Sequence, residues 1–112
     1  MSLDTVVHRY QIAITDNQII ELPLGSKPIS AATSRSIPGH GLDLWVRLDP
    51  AVTATQLFAI RVAGTGHTVS AKCRFIDTVV EPNGLVWHVF YRDLPRRPYS
   101  PLMPTSNGET DV

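Results

Sequence analysis

Apolar and polar residues alternate along most of this chain in short runs, and the runs are separated by Gly, Pro, Asn and Asp. That is the pattern of strands and turns. The cleanest alternation runs from Leu42 to Leu48. Leu42, Leu44, Val46 and Leu48 fall on one face, with Asp43, Trp45 and Arg47 on the other, because successive side chains of a strand point to opposite sides. Asp49-Pro50 ends that run. In Val6 to Ile14, the residues Tyr10, Ile12 and Ile14 share a face, and Thr15-Asp16-Asn17 supplies turn chemistry. Gln18 to Leu22 is stopped by Pro23, and Ile29 to Thr33 is a weaker run. Gln56 to Ala63 places Phe58, Ile60 and Val62 together.

Phe75 to Val80 and Leu85 to Tyr91 are joined by a segment containing Asn83-Gly84, a strong signal for a tight hairpin because both positions tolerate positive φ. In the last run Leu85, Trp87, Val89 and Tyr91 face one way and Val86, His88 and Phe90 the other. Both faces are apolar except at His88, as expected of a central strand or one covered by a partner. The connector 51–55 has room for one helical turn. Elsewhere no segment of about ten residues carries a helical period. The prediction is an all-β domain over residues 1–92: about seven short, mostly antiparallel strands in a sandwich or small barrel. Residues 93–112 change character, with four prolines among 20 residues. They read as an extended arm, in which Arg96 and Arg97 beside Tyr99 make a basic spot, either solvated or docked on another subunit.

Composition narrows the function. The 112 residues carry ten basic and ten acidic side chains, so the formal net charge is zero. Without a basic excess, bulk nucleic-acid binding is not expected. Zero net charge also leaves self-association unopposed, which favours a homo-oligomer. Cys73 is the single cysteine, so neither an internal disulfide nor a CxxC zinc pair is available. Its place in a strand-like run predicts a buried, reduced thiol. The start of the chain lacks the basic and apolar segments of a signal peptide, and no apolar stretch approaches the roughly 18 residues of a membrane span.

The four histidines, His8, His40, His67 and His88, form no HExxH or HxH motif. There is no GxSxG elbow, no third glycine for a dinucleotide fingerprint and no P-loop lysine. No cofactor or metal is predicted, and no catalytic residue is assigned. The segment "VAGTGHTV", residues 62–69, is more ambiguous. Gly64, Thr65 and Gly66 can turn successive N–H groups toward an anion, with His67 adding charge or stacking. The same four residues also make a plain turn between strands, where glycine supplies backbone angles that other residues resist. Trp45 and Arg47 share a strand face and are residue types favoured at interfaces. That face is either an outward surface or the second buried side of a sandwich strand.

Four ordered blocks, "YQIAITDNQIIELPLGSK", "LDLWVRLDP", "IRVAGTGH" and "LVWHVFY", resemble a family of small uncharacterised proteins of tailed bacteriophages, prophages and bacterial genomes. The likeness covers residues 8 to 91. Thr68 departs from the proline that usually follows the GTGH block, and Phe75 to Val80 lacks a glycine expected before Thr78-Val79. The resemblance implies no known activity. It implies a viral or prophage setting and a small accessory role, in the host cytoplasm or in the virion. The combined expectation is a non-enzymatic binding module, using Thr65, His67, Trp45, Arg47, Trp87 and His88 toward a host protein or a small nucleotide-like ligand. A virion decoration or assembly protein is the alternative, and a metal-dependent hydrolase the third.

Overall fold

The computed structural model describes residues 4–95. They form seven strands: β1 (Val6–Ala13), β2 (Gln18–Pro23), β3 (Lys27–Thr33), β4 (Gly41–Leu48), β5 (Thr55–Gly64), β6 (Arg74–Val80) and β7 (Val86–Asp93). Each falls within two residues of its expected run. β3 begins two residues early and takes in Pro28. β3 is an edge strand with a register shift between Pro28 and Ser30, and an edge or a bulge is where a sheet tolerates proline.

The strands make two sheets, one ordered β1-β4-β3 and the other β2-β5-β7-β6, with every neighbouring pair antiparallel. The chain crosses between sheets after β1, β2 and β4. β3–β4 and β6–β7 stay within a sheet as hairpins. The second of these turns at Asn83-Gly84, where Gly84 has φ of 91°. β7 lies between β5 and β6, the central position that its two apolar faces predict.

The core sits between the layers. Leu42, Leu44, Val46 and Leu48 from β4 meet Phe58, Ile60 and Val62 from β5 and Val89 and Tyr91 from β7, all buried. Burying a side chain of this size contributes roughly 1.5–3 kcal/mol. The alternation of Leu42 to Leu48 is therefore what sets the inward face of the smaller sheet.

Side chains bridge both margins of the sandwich. On one side, Asp77 Oδ2 of β6 accepts the N–H of Ala31 in β3 at 3.1 Å, and the Thr33 hydroxyl donates to Glu81 Oε1 at 2.8 Å. On the other, the Gln18 amide donates to Ala13 O at 2.7 Å and accepts the Ala13 N–H at 3.1 Å, copying a strand-to-strand pair across the turn. The architecture is a sandwich whose edges are partly closed by carboxylates and an amide.

Two expectations need correction or placement. Cys73 lies in the loop before β6, where its N–H donates to Ser70 O at 3.0 Å, and its side chain is half-buried rather than a core thiol. β7 continues through Asp93, and the rest of the expected arm from Arg96, with Arg97 and Tyr99, lies outside the described residues. Among the described residues no helix is long and apolar enough to cross a membrane.

Candidate functional site

β5 ends at Gly64, and the chain reverses at once. The Gly64 carbonyl accepts the His67 N–H at 3.1 Å, which makes Gly64-Thr65-Gly66-His67 a β-turn. Gly66, third in the turn, has φ of 92°, where a side chain is disfavoured. Gly64 is needed for a different reason. A Cβ placed there would lie 3.2 Å from His67 Cε1 and 3.4 Å from Nδ1, so the His67 ring folds back over Gly64. His67 is otherwise exposed.

The Thr65 hydroxyl reaches His88 Nε2 at 2.8 Å, and the Thr78 hydroxyl reaches His88 Nδ1 at 3.0 Å. Strand register brings these residues together, with His88 opposite Ala63 of β5 on one side and Thr78 of β6 on the other. A neutral imidazole has one donor and one acceptor nitrogen, and a hydroxyl can serve either, so both tautomers leave the chain Thr65–His88–Thr78 satisfied. The spacing matches that of a nucleophile, a base and an orienting group. The orienting group here is a neutral hydroxyl, which lacks the charge that a carboxylate supplies to an imidazolium in a hydrolytic triad. As built, the chain fixes the His88 ring and ties the turn to the sheet.

Trp87 does not share that outward face. It pairs with Gly64 and Val79 and packs against the core, half-buried, with its indole N–H buried and without a partner among the described residues. It therefore supports the turn from beneath instead of presenting its ring as a surface. Trp45 and Arg47 lie on the other sheet. Trp45 is half-buried, with Arg9 and Ser30 as its register partners. Arg47 is exposed, and its Nε donates to Thr5 Oγ1 at 2.8 Å. The six candidate residues thus divide into a turn cluster of Thr65, His67 and His88 over Trp87, and a separate pair, Trp45 and Arg47, on the smaller sheet.

Two features stand outside that candidate set. Asp43 shares the outward face of β4 with Trp45, yet it is fully buried. Arg9 Nη1 lies 3.2 Å from one of its oxygens, while the Arg35 N–H donates to the other at 3.3 Å and Arg35 Nε lies 3.6 Å away. The outer face of the four-stranded sheet is the second feature. It exposes Ile19 (62%), Leu57 (47%), Phe75 (58%) and Val80 (65%). Phe75 and Phe90 stack edge-to-face there, with centroids 5.6 Å apart. The two-sided apolarity of Leu85 to Tyr91 was the sequence signal for this face. Among the described residues, no three His, Cys, Asp or Glu side chains gather as metal ligands.

Together these features define a small antiparallel β-sandwich with unequal sheets, a pinned turn at one end and an exposed apolar face on its larger sheet. The chain belongs to a family described as a domain of unknown function (DUF7352), whose model matches residues 4–99. No curated protein and no solved structure matches the chain.

Proposed function

We propose that this protein is a phage-type accessory protein that acts by binding rather than catalysis, and that it works as a homo-oligomer. The observation that carries the reading is the outer face of the β2-β5-β7-β6 sheet, where large apolar side chains stand in solvent around the Phe75–Phe90 pair. Such patches on soluble domains mark interaction surfaces. A second copy of the chain is the occupant that fits. The formal net charge is zero, so two copies do not repel. The face also carries both signs, with Glu21 on β2 and Arg92 on β7, so an isologous pairing has opposite charges available on its two halves.

In such an oligomer the Trp45–Arg47 face stays open to a host protein or a small nucleotide-like ligand, and the Gly64–His67 turn borders the covered face, because Thr78 and His88 lie between the Phe75–Phe90 and Val80–Val86 pairs. The pinned His88 ring supports this reading, because it fixes the shape of the turn.

Mass under native conditions tests the oligomer. The full chain is expected to be a dimer or larger, and Leu57→Ser/Phe75→Ser is expected to be a folded monomer. A monomeric wild type at micromolar concentration overturns the self-association. Partner binding is tested with His67→Ala/Trp45→Ala in a pull-down from host lysate, where undiminished capture of the same protein counts against these residues.

A further inference from the structure

A recess lies at the opposite end of β5 from the Gly64 turn, where Leu24 N–H reaches Ala54 O just before β5 begins. Its volume is about 320 Å³, at the lower end of the range usual for small-molecule sites. Its apolar lining is Leu24, Leu48 and Val52. Leu48 is a core residue, and the other two are half-buried. Lys27 and Arg47 also line the recess and are direct register partners across β3 and β4, a pairing that holds two Cα atoms about 5 Å apart.

Two like charges placed side by side repel each other unless an anion or solvent lies between them. Neither takes part in an ion pair among the described residues. Arg47 spends its Nε on the Thr5 hydroxyl, and its two terminal nitrogens take part in no hydrogen bond among the described residues. The Asp49 carboxylate also lines the recess and opposes an anion, but its Oδ1 is turned onto the Ala51 N–H at 2.9 Å, so the two cations outnumber it.

We propose that this recess binds a small amphipathic anion, in which a phosphate or similar oxyanion meets Lys27 and Arg47 and a compact apolar or aromatic body rests on Leu24, Leu48 and Val52. Guanidinium and ammonium groups suit that head group, and three aliphatic side chains suit that body. The inference does not rest on the apolar sheet face, which belongs to the other sheet.

The test is amide chemical-shift titration of the full chain with three probes: phenyl phosphate, inorganic phosphate and phenol. Phenyl phosphate is expected to give saturable shifts at Gly25, Lys27, Arg47 and Val52. Phosphate and phenol, each carrying half of the recognition, are expected to bind about tenfold more weakly. Lys27→Gln is expected to weaken phenyl phosphate about fivefold, and Lys27→Arg to retain binding. Repeating the titration on Leu57→Ser/Phe75→Ser separates this site from self-association, because that variant keeps the recess. The proposal is overturned by an absence of saturable shifts at these amides up to millimolar probe, by equal binding of phenol, by shifts centred on Phe75 and Phe90, or by unchanged affinity in Lys27→Gln.

Discussion

Thr65 and His88 are 23 positions apart in the chain and meet at 2.8 Å, and that contact joins the turn after β5 to the central strand β7. The GTGH and VWHVF segments are therefore one structural unit. Each residue of the turn has a separate physical task. Gly64 makes room for the His67 ring, Thr65 holds His88, and Gly66 takes the positive φ. A plain turn needs only the glycines.

The first prediction concerns the hydroxyl pair that holds His88. Thr65→Val and Thr78→Val each remove one partner of the ring and are expected to cost about 1 kcal/mol. Because both act through the same imidazole, the double variant should depart from additivity by at least about 0.5 kcal/mol. Urea unfolding of the two single variants and the double variant measures this. Strictly additive losses would mean that the hydroxyls do not share the ring.

The two glycines of the turn should fail in different ways. At Gly66 the surroundings are open, but φ is 92°, so Gly66→Ala is expected to cost about 1–2 kcal/mol through backbone conformation alone. At Gly64 the backbone is ordinary and the obstacle is the His67 ring at 3.2 Å. That ring is the exposed end of a side chain, so Gly64→Ala should cost less than about 1 kcal/mol while displacing His67. Thermal unfolding gives the stabilities, and the His67 ring resonances report the displacement. A larger loss at Gly64 than at Gly66 would contradict this assignment.

The strands were legible because this chain alternates cleanly where it is half-buried. Leu42 to Leu48 shows its inward face directly, and the two apolar faces of Leu85 to Tyr91 mark a central strand. The same double apolarity hid the direction of Trp87. Its face-mates Val89 and Tyr91 were grouped correctly, but nothing local said that their face was the buried one. Asp43 was illegible for a different reason. Its partners Arg9 and Arg35 lie 34 and eight positions away, and local alternation places an aspartate beside Trp45 and Arg47 on an outward face. The choice between sandwich and barrel depends on which distant strands pair, β1 with β4 and β2 with β5, and such pairing leaves no periodic signature.

Asp43 gives the third prediction. Its carboxylate has no exposed surface, whereas the Arg9 and Arg35 side chains keep 37% and 70% of theirs. Removing Asp43 leaves two arginines that water can reach, and removing Arg9 leaves a buried carboxylate with one distant, solvated partner. Arg9→Ala is therefore expected to destabilise by about 2–3 kcal/mol. Arg35→Ala is expected to cost less than about 1 kcal/mol, because its side chain is mostly solvated and its backbone N–H bond survives. Denaturant midpoints at constant m-value decide the order, and an equal loss for both arginines would refute it.

Asp77 supplies the last prediction, at the seam between the sheets. Ala31 is buried at the outer edge of β3, where no further strand accepts its N–H, and Asp77 Oδ2 takes that place from the opposite sheet. Asp77 sits at the register shift of β6 between Phe75 and Asp77, so the bulge aims the carboxylate across the gap. Asp77→Ala leaves the Ala31 N–H without its acceptor and is expected to cost about 1–3 kcal/mol. Asp77→Asn keeps an acceptor oxygen and should lose less. Hydrogen exchange separates this seam from global destabilisation. In Asp77→Ala the Ala31 amide should exchange faster by a larger factor than core amides such as Val89, whereas a uniform acceleration would show that Asp77 adds stability without closing the edge of β3.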